Sequence, residues 1–90
     1  MYELSKTTSF KKDFKRIVKR GWDIYKLEEL ILLLIQGKNL PAKYNLHPLV
    51  GNYVNHFDCH IESDWLLIFK IDKRNLLITL IRTGTHSDIF

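Results

Sequence analysis

The residues able to do chemistry gather in the second half of the chain. His47 sits in "HPLVGNY". His56, Asp58 and His60 sit in "HFDCHIESDW", followed by Asp64 and Trp65. Arg82, His86 and Phe90 fall in the closing "RTGTHSDIF". An imidazole with a pKa near ~6.5 both gives and takes a proton at neutral pH. His60, Asp64 and His86 lie at strand ends and turns, where scaffolds display catalytic groups. The fixed donor fork of Arg82 suits a phosphate. Trp65 and Phe90 offer flat faces for stacking on bases. Such a set can cleave RNA without a metal. It holds a base for the 2′-hydroxyl, an acid for the leaving oxygen and a cation for the charge developing on phosphorus. Each residue also has a plainer reading, because a single His often caps or decorates a surface and a single Trp often belongs to the core.

Four His and one Cys also raise the question of a metal site. In a strand, His56 and His60 stand about 13 Å apart at ~3.3 Å per residue, too far to share a zinc ion. Cys59 points away from His60, and neither a Cys-x-x-Cys nor a His-Glu-x-x-His spacing occurs. No metal and no other cofactor is therefore expected. Cys59 falls with Tyr53 and Phe57 on the inward face of its strand, where a thiol behaves as a small hydrophobe. It is not expected to be a nucleophile. As the only cysteine, it excludes an internal disulfide and suits a reducing compartment.

These groups need elements to position them. "YELSK" reads as a short strand. Phe10, Phe14, Ile17 and Val18 recur at helical spacing, with Thr8 or Ser9 as cap and Gly21 as terminator. Asp23 caps a second helix, "IYKLEELILLLIQ", which stops at Gly37 before Pro41. Its "LILLLI" run is apolar nearly all round and predicts the most buried helix. After the loop "NLPAKYNLHPLVGN", three short segments rich in aromatic and branched residues read as strands: "YVNHFDCH", "WLLIFKI" and "LLITLIR". "DKRN" makes a hairpin of the last two. The expected order is β-α-α-β-β-β. That is an α+β domain over residues 1–90, with a small antiparallel-type sheet of about four strands and two N-terminal helices packed on it.

The bulk properties agree with one globular domain. The chain has 90 residues, 46% of them hydrophobic and 27% charged. It has no apolar run of the ~18–20 residues needed to cross a bilayer, and no apolar leader at its N-terminus. Net charge is +4, and seven of the 14 Lys and Arg residues lie between Lys6 and Arg20. These are Lys6, Lys11, Lys12, Lys15, Arg16, Lys19 and Arg20. A basic stripe of this kind meets a polyanion or an acidic protein, or is simply a solvated helix face.

Three segments, "HPLVGNY", "CHIESDWLLIFKI" and "LIRTGTHSDIF", resemble in order and spacing the signature segments of YafQ-type toxins in the RelE superfamily. The resemblance extends over nearly the whole chain, including the basic first helix and the "LP" loop. It implies a type II toxin–antitoxin toxin with a RelE-like fold, acting as an endoribonuclease that cuts mRNA in the ribosomal A site and arrests translation. It also implies functional residues at His47, His60, Asp64, Trp65, Arg82, His86 and Phe90. One step departs from the pattern. Relatives commonly carry Arg before the Asp-x-His, and here the residue is Phe57, with His56 beside it.

On this reading His86 is the acid toward the leaving 5′-oxygen, and His60 or Asp64 is the base. His47 positions phosphate or assists proton transfer, and Arg82 stabilises the pentacoordinate phosphate. Trp65 and Phe90 hold the splayed nucleotides. Lys11, Lys12, Lys15 and Arg16 are expected to contact RNA. The implied partners are mRNA on the ribosome, with 16S rRNA contacts, and a cognate acidic antitoxin of DinJ or RelB type. DNA would be reached only through that antitoxin, and no membrane is involved. The implied setting is the bacterial cytoplasm. Two other readings compete: a translation inhibitor that occupies the ribosome without cutting, and an antitoxin-bound transcriptional co-repressor.

Overall fold

The computed structural model describes residues 1–49 and 55–90. The last four residues of "HPLVGNY", Tyr53 among them, lie outside those described, as does Val54. The first strand, β1, spans Glu3–Lys6, and the helices α1 and α2 span Thr8–Lys19 and Ile24–Ile35. A single 3₁₀ turn at Ala42–Tyr44 leads to a two-residue strand β2, His47–Pro48. Then come β3 (His56–Glu62), β4 (Trp65–Asp72), β5 (Leu77–Gly84) and a four-residue helix α3, His86–Ile89.

Local chemistry explains the ends of the helices. Thr7, one residue earlier than expected, caps α1 by accepting the Phe10 N–H at 3.0 Å. Gly21 takes the left-handed conformation that ends the helix, with φ +76°. Asp23 caps α2 by accepting the Tyr25 N–H, and Gly37, at φ +69°, closes it. The apolar run of α2 does not make it buried all round. Leu27, Leu30 and Leu34 are buried, while Leu32 is 55% exposed. A helix lying on one face of a sheet buries one stripe, whatever its other faces carry.

The sheet has five strands in the order β1-β5-β4-β3-β2. Three of its pairings are antiparallel, as expected of the C-terminal strands. β1 adds a parallel pairing to β5, with Glu3 opposite Leu77 and Lys6 opposite Leu80. The sheet is therefore mixed, and the N-terminal strand lies beside the last one. β1 covers β5 only as far as Leu80. Beyond that point residues of the first helical segment serve the exposed strand edge. The Thr7 hydroxyl donates to the Ile81 carbonyl at 2.7 Å, and the Thr83 N–H donates to Asp13 Oδ2 at 3.1 Å. Unpaired backbone groups at a sheet edge require partners, and here a helix supplies them.

The core lies between the helices and one face of the sheet. Phe10, Ile17, Leu27, Leu30 and Leu34 from the helices meet Cys59, Trp65, Leu67, Phe69, Ile78 and Leu80 from the strands. Phe57 stacks on Phe69 at 5.7 Å between ring centroids and packs against this core. Among the described residues no helix is long and apolar enough to cross a membrane.

Candidate active site

The alternation of β3 divides its side chains between two faces. Phe57, Cys59 and Ile61 turn toward the helices, so His56, Asp58 and His60 share the opposite face. β2 pairs with β3 so that His47 stands opposite Asp58. Strand β5 ends at Gly84, and α3 begins by placing His86 over the end of the sheet. The result is a row of three imidazoles. The rings of His47 and His60 are 6.2 Å apart, and those of His60 and His86 are 5.9 Å apart and nearly perpendicular.

The outer two rings of this row each face a carboxylate. Asp64, in the tight β3–β4 turn, accepts the backbone N–H of His86 at 3.0 Å and lies 2.7 Å from its Nδ1 through the same oxygen. These hydrogen bonds, the backbone one foremost, hold the Asp64 carboxyl below the usual range. Since a carboxylate can only accept, Nδ1 of His86 is the donor, which leaves Nε2 as the end that faces a substrate. Asp58 Oδ1 lies 3.4 Å from His47 Nδ1. That oxygen is enclosed and has no aligned donor among the described residues.

Beside the row lies an apolar cleft of about 400 Å³, lined by Leu49, His56, Ile68, Ile81, Ile89, Arg82 and Phe90. Phe90 is 74% exposed. Arg82 reaches it from the strand edge, aided by a register shift where Ile68 pairs Arg82 but Phe69 pairs Leu80. Its Nε and Nη2 bind Asp13 at 2.6 and 3.2 Å, and Nη2 also donates to the Asp88 carbonyl. Asp13 is 1% exposed, and its hydrogen bonds raise the Arg82 pKa further.

Several expectations change at this point. Trp65 is not available for stacking on a base. It is 3% exposed, packs against Trp22 at 5.0 Å and donates its Nε1–H to the Thr83 hydroxyl. Strand alternation puts it on the helix-covered face with Leu67 and Phe69. Arg16 is not a free RNA contact either, since its Nη1 is enclosed between Asp13 Oδ1 at 3.2 Å and Asp88 Oδ1 at 3.7 Å. Arg20 likewise binds Asp88. Lys11, Lys12 and Lys15 remain exposed on α1, and Lys6, Lys11 and Lys15 rim an apolar groove floored by Phe10, Phe14, Leu27 and Ile31. Burial pushes the Cys59 thiol up to about 12, which keeps it protonated and unreactive at neutral pH. Phe57, the departure from the expected Arg, faces the core and not the histidine row. Its identity therefore bears on packing. No group of three or more His, Cys, Asp or Glu among the described residues is arranged to hold a metal ion.

Two carboxylates of this region, Asp13 and Asp88, are not among the expected site residues, although each has a signal in the sequence. Asp13 interrupts the apolar stripe Phe10-Phe14-Ile17, which marks a charge aimed inward. Asp88 closes Thr85-His86-Ser87-Asp88, the Thr-x-x-Asp pattern of a capping box, which is what starts α3.

The model of the family described as "Bacterial toxin of type II toxin-antitoxin system, YafQ" matches residues 2–90. The mRNA interferase toxin YafQ of Escherichia coli K12 is 43% identical over 82 residues, covering 90% of this chain and 87% of that protein. A putative toxin YafQ of Haemophilus influenzae is 31% identical over 76% of this chain and 70% of its own. The structure superposes on YafQ from the E. coli DinJ–YafQ complex with a TM-score of 0.93 at 38% identity, covering 100% of this chain and 99% of that one. A metal-bound toxin from Helicobacter pylori superposes with a TM-score of 0.94 at 34% identity, covering all of both chains.

Proposed function

The chain belongs to the YafQ family of bacterial toxins of type II toxin–antitoxin systems, and on that premise we propose how it works as an mRNA interferase. It is an endoribonuclease that cuts mRNA in the ribosomal A site by metal-independent acid–base chemistry. The observation that carries this reading is the row of His47, His60 and His86, with Asp64 fixing Nδ1 of the last.

The 2′-hydroxyl attacks its own phosphorus, so one group must accept its proton and another must protonate the departing 5′-oxygen. His86 Nε2 is the acid, because Asp64 holds the ring by its other nitrogen and stabilises the imidazolium. Between the two candidate bases, His60 is favoured. Asp64 already accepts two donors from His86, and its lowered pKa makes it a weak base. His47, beside Asp58, lies at the far end of the row and positions the phosphate. Arg82 supplies positive charge from the rim of the cleft, using the donors that Asp13 and Asp88 leave unoccupied. Phe90 stacks on a base next to the scissile bond, and Trp65 supports the site from within the core.

The partner of this toxin is an antitoxin. Its proposed character is acidic, of the DinJ or RelB type. The lysines of α1 provide the charge for ribosomal RNA or for that antitoxin. The site of action is the bacterial cytoplasm, where ribosomes are met. One continuous core supports reading residues 1–90 as one domain.

The test is induction of the parent and of His86→Ala in bacteria, with mRNA 5′ ends mapped. Codon-phased new ends and growth arrest are expected from the parent alone. Arrest by the parent with intact messages would point to ribosome occupancy, and undiminished cutting by His86→Ala would remove His86 from the mechanism.

A further inference from the structure

Helix α3 carries His86 and is only four residues long. A helix of that length has no stability of its own, so its orientation depends on what grips it. One grip is Asp64, already described. The other is on the opposite side and centres on Asp88.

Asp88 Oδ2 accepts the Thr85 N–H at 2.9 Å, and the Thr85 hydroxyl accepts the Asp88 N–H at 3.0 Å, which closes a capping box. The same carboxylate receives both arms of Arg20, with Nη1–Oδ2 at 2.6 Å and Nη2–Oδ1 at 3.0 Å. Arg20 sits at the C-terminal cap of α1, 68 residues away in sequence. Its guanidinium lies 5.3 Å over the Trp22 ring, and Trp22 in turn packs on buried Trp65. Arg16 Nη1 approaches Asp88 Oδ1 at 3.7 Å, and Arg82 Nη2 binds the Asp88 carbonyl at 3.0 Å. The fit depends on Gly84, since a Cβ there would come within 2.8 Å of Asp88 Oδ2 and its φ is +147°.

We propose that Arg20 and Asp88 form a positioning clamp that docks α3 on the end of α1 and thereby aims His86 at the leaving oxygen. The inference rests on the reading of His86 as the acid. Ion pairs near a protein surface contribute little to global stability. A displacement of about 1 Å at a reacting group, in contrast, costs on the order of 100-fold in rate. A clamp of this kind is thus felt in catalysis before it is felt in folding. It also gives part of the basic stripe an internal purpose distinct from binding RNA.

The experiment uses the full chain and measures the single-turnover cleavage rate of ribosome-bound mRNA, the half-saturating toxin concentration and thermal unfolding. Arg20→Ala is expected to slow cleavage about 10–100-fold, with half-saturation changed less than about twofold. Arg20→Lys should recover part of the rate, because it keeps the charge but loses the bidentate fork. In a His86→Ala background, adding Arg20→Ala should change the residual rate less than about twofold, since the clamp acts through His86. The proposal fails if Arg20→Ala slows both backgrounds equally, if its effect lies in half-saturation, or if the rate does not fall. Full activity of His86→Ala itself would remove the acid and with it the purpose of the clamp.

Discussion

The two faces of the sheet show how one set of strands serves opposite ends. On the helix-covered face Cys59, Trp65, Leu67 and Phe69 are buried, and the Trp65 indole N–H is satisfied by Thr83. Cys59, the thiol of that face, is held protonated by its burial. On the other face the same β3 presents His56, Asp58 and His60, while β2 and α3 add His47 and His86. There Asp64 satisfies Nδ1 of His86, while Asp58 Oδ1 near His47 has no aligned donor among the described residues. The covered face is packed and supports stability; the open face is incompletely satisfied, which on the proposed mechanism leaves it open to proton transfer.

The sharpest way to break this comparison is to remove one large residue from each face. Trp65→Ala should destabilise the protein by about 3–5 kcal/mol in denaturant unfolding. His86→Ala should leave unfolding within about 0.5 kcal/mol while slowing mRNA cleavage by about 10²–10⁴-fold. If the two variants lost stability equally, the faces would not be divided as described.

Asp13 tests the seam between the faces, because its buried carboxylate holds Arg82 and the Thr83 N–H together. Asp13→Ala strands a partly buried guanidinium and an edge amide, and should cost about 3–5 kcal/mol by equilibrium unfolding. A much smaller loss would mean that Arg82 re-solvates freely.

Phe57→Arg introduces, on the covered face, the residue that the family resemblance implies at this step. It should cost about 1–2 kcal/mol, through lost packing on Phe69. The cleavage rate should stay within about twofold, because position 57 points away from the histidines. A large gain in rate would show that the side chain reaches the open face.

The smallest effect is a pH dependence. The hydrogen bonds from Arg20, then those from Thr85, hold the Asp88 carboxyl well below the ordinary carboxylate range. Its contribution to stability is therefore complete above about pH 4, near the unfolded value, and is lost as pH falls further toward the folded value. Asp88→Asn should be about 1 kcal/mol less stable than the parent at pH 7. That gap should narrow as unfolding is measured at successively lower pH below about 4. A constant gap would mean that the charge of Asp88 is not what stabilises α3.

Some of this was legible in the chain as a string. Asp23, Gly21 and Gly37 bound the helices through chemistry confined to a few neighbouring residues. The period-two alternation around Cys59 separated the histidines from the core. The strand at Trp65-Leu66-Leu67-Ile68-Phe69 was different, because it is apolar on both faces and alternation could not tell which side Trp65 takes. Leu32 shows the same limit in a helix, where an apolar run cannot say which stripe meets the sheet.

Local order is encoded by short-range hydrogen bonds and steric preferences. The amino-acid sequence alone therefore determined the two long helices, the main strands and the kinds of residues that face one another along a strand, while the two-residue β2 and the four-residue α3 were not among the expected elements. The pairing of distant partners was decided only when the chain closed on itself. β1 came to lie parallel to β5, Asp13 took the place of a missing strand at its edge, and Arg16 and Arg20 turned inward to Asp88. An Arg binds any carboxylate that packing brings within reach, and nothing in its neighbours along the chain names that partner. Whether a basic side chain of α1 meets RNA or holds the helix of His86 is thus a property of the tertiary structure.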